Sequence, residues 1–511
     1  MKKILTLFMF ICLLTGALCI TSVSASAEEP TTEKVVIRVA GMNKKGDLIL
    51  PESFTSFEDG WNKAAKLAED HDWMDKNGII RIVVDLYSDW KADTSGSFGS
   101  SWGDGFANST IEVPSNTKMM INMNGYTIDR GKTSNESDGE VIYMGTRADL
   151  IINGGQFGDT IVGLDEDPGF IKMGKITGGY SCSGAGGIHV SSHGMLVLNN
   201  VHVDGNAVED DDGAAIAAYN NSTVIMNGGS ISDNLLETSA WLVYGECYGT
   251  LYLSDSTAIL TDVEMANNGY KGKLALGKGV IFADDSTVQL ENCRITNNSR
   301  LVSGKNYNLP CATIATWGSS SVFEAKNCTF ENNGEPTADY SKGDVTTVYT
   351  LFYQYGGVIK LDTCTIKNNQ YKQMFYTKSG HVEATNCQFT DNRGIFFDGR
   401  SDEGTVFTNC TIKNNTYAGT DSLPFSFSHG SKKITFKDCD FGNHVVESNE
   451  YKEIINTEEV NGAIGSIFGE GSFPMLISLL ALAIAVVSLV MNISAKKKRE
   501  KSSIEADNEE D

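Results

Sequence analysis

The residues of this 511-residue chain that could do chemistry fall into three groups. The first is acidic. Glu209, Asp210, Asp211 and Asp212 form one run and Asp165-Glu-Asp167 another. Clustered carboxylates can supply several of the six to eight oxygens that Ca²⁺ takes, so Glu209–Asp212 are the candidate calcium ligands. The ordinary alternative is a solvated loop. The second group is aromatic. Trp90, Trp102, Phe106 and Trp317 lie in or beside expected loops, as do Tyr340, Tyr349, Tyr353 and Tyr355. Exposed rings stack on sugars or anchor protein partners, and the first four are the candidate ligand-binding residues. Otherwise they fold back and cover a wall of the protein. The third group is cysteine. Of 11, Cys12 and Cys19 sit in the N-terminal apolar segment, and the odd number left cannot all pair within one chain. Six of these nine hold one position of a repeat, which favours packing as small hydrophobes over inter-coil disulfides or a metal site, since no Cys-x-x-Cys is present.

Those groups must be positioned by repeats. The unit is seen in Thr287-Val-Gln-Leu-Glu-Asn-Cys-Arg-Ile-Thr-Asn-Asn298, and it returns around Cys328, Cys364, Cys387, Cys410 and Cys439. Each apolar-x-apolar piece reads as a short strand with one buried face, and each closing Asn suits a left-handed turn that bonds to its neighbours. Cys364, Cys387 and Cys410 are 23 residues apart (387−364 and 410−387), a period that fits one coil of a three-stranded solenoid. Upstream, Val201, Gly229 and Val263 take the cysteine position, as an inward packed site would allow. About a dozen coils are expected, roughly 60 Å in length at ~4.8 Å per coil.

The expected fold class is therefore all-β: a right-handed parallel β-helix with an N-terminal capping helix and one C-terminal transmembrane helix. Helical spacing over Phe57–Lys76 predicts the cap, since a solenoid end leaves core and backbone exposed. A strand is expected over Ile79–Leu86 and a long loop from Leu86 to Thr117.

Both ends read as targeting segments. Lys2 and Lys3, an apolar run from Ile4 to Ile20 and small residues through Ala27 make residues 1–27 a signal peptide. Phe473–Ile493 is uncharged and long enough to cross a ~30 Å hydrocarbon core. Lys496, Lys497, Lys498 and Arg499 place the following tail, 494–511, in the cytoplasm. The remaining divisions are a cap with first strands over 28–118, the β-helix over 119–446 and a juxtamembrane stalk over 447–472. The expected location is a single-pass cell membrane protein with its body outside. A net charge of −24 opposes phosphate backbones, so no nucleic-acid partner is expected.

The coils resemble the pectin-lyase-like β-helix superfamily, and more narrowly the repeats of polymorphic outer-membrane proteins. That family pairs a Gly-Gly-Ala-apolar motif with Phe-x-x-Asn. Here Phe330-Glu-Asn-Asn333 and Phe389-Thr-Asp-Asn392 match the second, and Gly186-Gly-Ile-His189 and Gly213-Ala-Ala-Ile216 approximate the first. The resemblance implies a surface-exposed protein, often an adhesin, although this chain ends in an apolar segment where the family has a barrel. Enzymes of the superfamily carry motifs that are incomplete here. Polygalacturonase-like Asp-Asp is present as Asp284-Asp285, and its Gly-His-Gly is approximated by Ser192-His193-Gly194 and Ser428-His429-Gly430. Asn-Thr-Asp, Arg-Ile-Lys and the pectate-lyase-like Arg-x-Pro-x-x-Arg are missing. Three functions remain open: an adhesin-like binder of glycan or host protein with no cofactor or with Ca²⁺, a tethered polysaccharide lyase or glycoside hydrolase, and a passive stalk or envelope component.

Overall fold

The structure is a computed structural model. It describes residues 35–42, 48–69, 82–92, 106–107, 110–132, 139–155, 173–182, 184–238, 247–272, 277–303, 311–334, 349–399, 404–416, 425–427, 434–442 and 455–458. The expected signal peptide, transmembrane segment and cytoplasmic tail lie outside these residues, as do Trp102, Tyr340 and Asp165-Glu-Asp167. Among the described residues no helix is long and apolar enough to cross a membrane.

Each coil runs through three faces in a fixed order. One coil shows it: face 3 in Gly277–Asp284, face 1 in Thr287–Glu291, face 2 in Arg294–Thr296. Face 1 is the longest stack. Twelve successive parallel pairings link thirteen strands, from Ile82–Leu86 to Ile455–Glu458. A side strip of five short strands, from Tyr180–Ser181 to Arg300–Ser303, follows face 2 in the central coils.

The local chemistry explains the corners. Face-1 strands bury alternate residues, as in Thr287–Glu291, where Val288 and Leu290 point inward. The next residue is left-handed: Asn292, Asn327, Asn386 and Asn409 have φ between 51° and 57°. Such a turn is accessible to Asn and Asp, whose short side chains offset the strain. The cysteine then points into the core. Cys293, Cys328, Cys364, Cys387 and Cys410 are buried, Cys439 is half-buried, and all six are free thiols. Their sulfurs donate to inward carbonyls, Cys293 to Leu260 at 3.4 Å and Cys364 to Ala325 at 3.3 Å. Thiol–thiol hydrogen bonding and then burial push the Cys293 and Cys387 thiols well above their ordinary range, so they stay neutral. Val201 faces Gly229 in the same column, as the repeat predicts.

The Asn-Asn pairs divide two tasks. The first member is left-handed, as at Asn297, Asn332 and Asn368. The second enters a buried ladder of Asn206, Asn234, Asn268, Asn298, Asn333, Asn369, Asn392 and Asn415. In each step the side-chain oxygen accepts both the backbone N–H and the Nδ2 of the preceding ladder residue. Successive rungs are separated by 28, 34, 30, 35, 36, 23 and 23 residues. The 23-residue coil is thus the shortest form, and the additional residues fall mostly between the rung and the next face 3.

The N-terminal part departs from expectation in detail. The helix, α1, spans Phe57–Glu69, with residues 70–76 outside the described set. Ser56 starts it by accepting the Asp59 N–H at 3.2 Å. Its buried face carries Phe57, Trp61, Ala64, Ala65 and Ala68, and Trp61 Nε1 donates to the Glu112 carbonyl at 3.0 Å. Strand Ile37–Met42 lies antiparallel to both Leu48–Phe54 and Ile82–Leu86, the first strand of the face-1 stack. The expected loop over Leu86–Thr117 instead contains strands Trp90–Lys91, Phe106–Ala107 and Thr110–Val113. At the other end Ile455–Glu458 pairs with Ile434–Lys437, so stacking runs past the boundary expected at 446.

Candidate functional site

Face 3 is the chemically distinctive surface. Strand alternation sends one row outward: Tyr143 beside His189, then Ala217, Tyr252 and Phe282 on successive coils. It continues through Ala315, Tyr353, Tyr376 and Asp398. Two residues further along the strands, Trp317 faces Tyr355. Ala217, Tyr252, Phe282, Ala315 and Tyr353 are buried in an apolar cluster separate from the solenoid core, with Trp317 and Tyr376 packed half-buried against it. Their rings are in contact: Tyr252 with Phe282 at 5.8 Å, Tyr353 with Tyr376 at 5.8 Å, and Trp317 with Tyr355 at 4.0 Å and 10°. Lys378 Nζ lies 5.2 Å from the Tyr355 ring centre. Tyr355 is nonetheless 39% exposed.

The N-terminal end of this wall carries titratable groups. His189 sits between Tyr143 at 4.8 Å and Tyr219 at 4.9 Å. The Tyr219 hydroxyl donates to Asp212 Oδ2 at 3.3 Å. Asp211 accepts the N–H groups of Gly184 at 3.0 Å and Asp212 at 2.8 Å. Burial raises the Asp211 pKa, and those two donors only partly offset it. Burial, followed by the charges of Asp212 and Asp211, pushes the Tyr219 phenol far up. Burial also holds the His189 pKa down to about 4.

That shift has a consequence for stability. His189 is neutral in the fold, whereas an unfolded histidine titrates near 6.5. Its contribution is complete above pH 6.5 and is lost as pH falls toward 4, on the order of 3 kcal/mol by linkage. His189→Gln is expected to flatten urea-unfolding stability against pH over that window. Parallel curves for the two proteins would remove His189 from the account.

The expected calcium run does not act as one unit. Glu209 lies in the side strip beside Glu237, which pairs with Lys271 at 2.7 Å and accepts the Tyr180 hydroxyl. Burial, then the charges of Asp210 and Glu237, raises the Glu209 pKa. Asp210 is a left-handed turn residue, and only Asp211 and Asp212 reach face 3. The turn after a side-strip strand divides the four. Among the described residues, no three His, Cys, Asp or Glu side chains are placed to hold a metal ion.

The aromatic candidates also separate. Trp317 belongs to the wall. Trp90 does not: it is 4% exposed, stacks on Phe57 at 4.6 Å and donates to Glu58 at 2.7 Å, so it packs under α1. Phe106 stands in a two-residue strand antiparallel to Thr110–Val113. Asp284 ends a face-3 strand, and Asp285 and His193 occupy left-handed turns three coils apart, so these two fragments do not meet; Ser428-His429-Gly430 lies outside the described residues. Sequence reasoning missed Tyr143, His189, Tyr219, Tyr252, Tyr376 and Asp398. The available signal was a second alternating strand about six residues before each repeat, its outward residue aromatic where solvent-facing positions are normally polar.

A family model described as "Right handed beta helix region" matches residues 312–451. With parallel strands throughout the stack, it places the protein in the class of right-handed β-helices. No curated protein and no solved structure matches the chain.

Proposed function

We propose that this is a membrane-anchored, outward-facing β-helix of the pectin-lyase-like type, with repeats akin to those of polymorphic outer-membrane proteins, that binds a glycan along face 3. The observation that carries the binding reading is the Trp317–Tyr355 stack, in which Tyr355 is exposed and Trp317 half-buried, with half-buried Tyr376 stacked on buried Tyr353 beside it. Sugar rings present apolar C–H faces, and flat aromatic rings cover them at little conformational cost. Coils ~4.8 Å apart offer such a surface at short, regular intervals. The reading assigns α1 with strand Ile37–Met42 to capping, residues 1–27 to export and Phe473–Ile493 to the anchor. Protease added to intact cells should then remove the body and spare a short C-terminal fragment. Complete resistance, or an intact chain in the growth medium, counts against the anchor.

Trp317→Ala in the full chain is expected to weaken glycan binding by about fivefold or more on a glycan array followed by titration, because stacked rings contribute roughly 1–3 kcal/mol. Unchanged affinity for every glycan bound by the parent would sink the wall as the binding surface.

The cluster of His189, Tyr219, Asp211 and Asp212 favours one second reading, a tethered polysaccharide-cleaving enzyme. A carboxylate, a neutral imidazole and a phenol on neighbouring coils are groups that general acid–base chemistry uses. Release of reducing ends or unsaturated sugars in the same binding assays, abolished by Asp212→Asn, would decide for it.

A further inference from the structure

The C-terminal end of the wall points to the kind of sugar bound. Tyr376 lies between Tyr353 and Asp398 on successive coils of face 3. Gln373 stands three residues before Tyr376, opposite Thr350 and Ile395. Its amide Nε2 donates to Asp398 Oδ2 at 3.1 Å. Gln373 is 2% exposed, and its Oε1 has no hydrogen-bond partner. Among the described residues Gln373 is the only hydrogen-bond partner of the Asp398 side chain. Gln373 is thus sealed within the wall with its donor committed to Asp398, which fixes the carboxylate.

Resting on the glycan-binding reading above, we infer that Asp398 and Gln373 form the hydrogen-bonding subsite of the wall, selective for a neutral sugar that offers hydroxyl donors. The argument is one of complementarity. The Gln373 donor serves Asp398 and holds it in place, so the half-buried Asp398 carboxylate presents its oxygens as acceptors. Vicinal hydroxyls satisfy two neighbouring acceptors while the ring stacks on Tyr376 or Tyr355. A uronate brings a carboxylate, which is acceptor-only, against Asp398 and toward Asp284 near the middle of the same face. Lys378, a cation on this part of the wall, lies over the Tyr355 ring. The chain's net charge of −24 adds to the exclusion of acidic polymers.

The test is isothermal titration of the full chain in detergent with neutral gluco-, xylo- and manno-oligosaccharides, oligogalacturonate and glucosamine oligomers. The neutral series should bind and oligogalacturonate should not. Asp398→Asn, close in shape, should weaken the neutral ligand by about tenfold or more, since hydrogen bonds to charged groups are the stronger ones. The same substitution should leave oligogalacturonate unchanged or improve it. Gln373→Leu should weaken the neutral ligand as well, and thermal melting confirms that each variant is folded. Tighter binding of a charged oligosaccharide of either sign, or full neutral affinity in both variants, overturns the subsite while leaving the wall as a glycan binder. Absence of binding to any glycan by the parent chain overturns the binding reading itself, and the subsite with it.

Discussion

Asn298→Leu is expected to destabilise the purified chain by on the order of 5 kcal/mol or more in urea unfolding. The side chain sits fully buried at the centre of the ladder. Its oxygen accepts from Asn268 N and Asn268 Nδ2, at 3.0 and 2.9 Å, and its Nδ2 donates to the Met265 carbonyl and Asn333 Oδ1, at 2.7 and 3.1 Å. Leucine removes all four bonds and strands two donors and a carbonyl, each costing roughly 1–3 kcal/mol when no water can reach it. Asn332 supplies the control. It lies one residue before a rung, in the left-handed region at φ 55°, and its backbone rather than its side chain carries the bond to the next coil. Asn332→Gly should therefore stay within about 0.5 kcal/mol of the parent, because glycine adopts that φ freely. Equal effects from the two substitutions would mean that the pair's tasks have been misassigned.

The second large effect belongs to the core. Phe375 is fully buried and stacks on Phe352 at 4.9 Å. Phe389, Phe396, Phe397 and Phe407 surround it at 5.7 to 6.3 Å. Phe375→Ala is expected to cost about 3–5 kcal/mol, the range for emptying an aromatic site that cannot collapse. Phe375→Leu should recover more than half of that, since most of the volume returns. Rings held by neighbours on adjacent coils have no slack to close a void. A loss below about 1 kcal/mol for the alanine variant would show that these coils repack independently.

Much of this architecture is legible in the chain. The column through Cys293, Cys328 and Cys364 was readable because one inward position tolerates only small apolar side chains, which leaves a visible Cys, Val and Gly alternation. The double role of Asn-Asn was not separable, because the same residue type serves as a left-handed turn in one place and a buried rung in the next. Trp90 looked like a loop residue because the short strands around it carry too few alternating positions to register as strands. The wall was least legible. Tyr143, His189 and Tyr219 come from three coils, and nothing local says that coils bring them within 5 Å. The acidic run misled for the opposite reason: neighbours in sequence point to different faces when a turn lies between them.

The unequal rung spacing, from 23 to 36 residues, carries a further consequence. Length is absorbed mainly at one corner, upstream of face 3, where a longer connection costs little extra closure entropy, about 0.6 kcal/mol per doubling. Insertions there leave the Asn and Cys columns in register, and the strand that follows each of them belongs to face 3. Selection can therefore rewrite the surface beside the wall by lengthening or exchanging these segments, one coil at a time, with no renegotiation of the fold. Descendants of such a chain would be expected to diverge in that surface while keeping the same thermal stability.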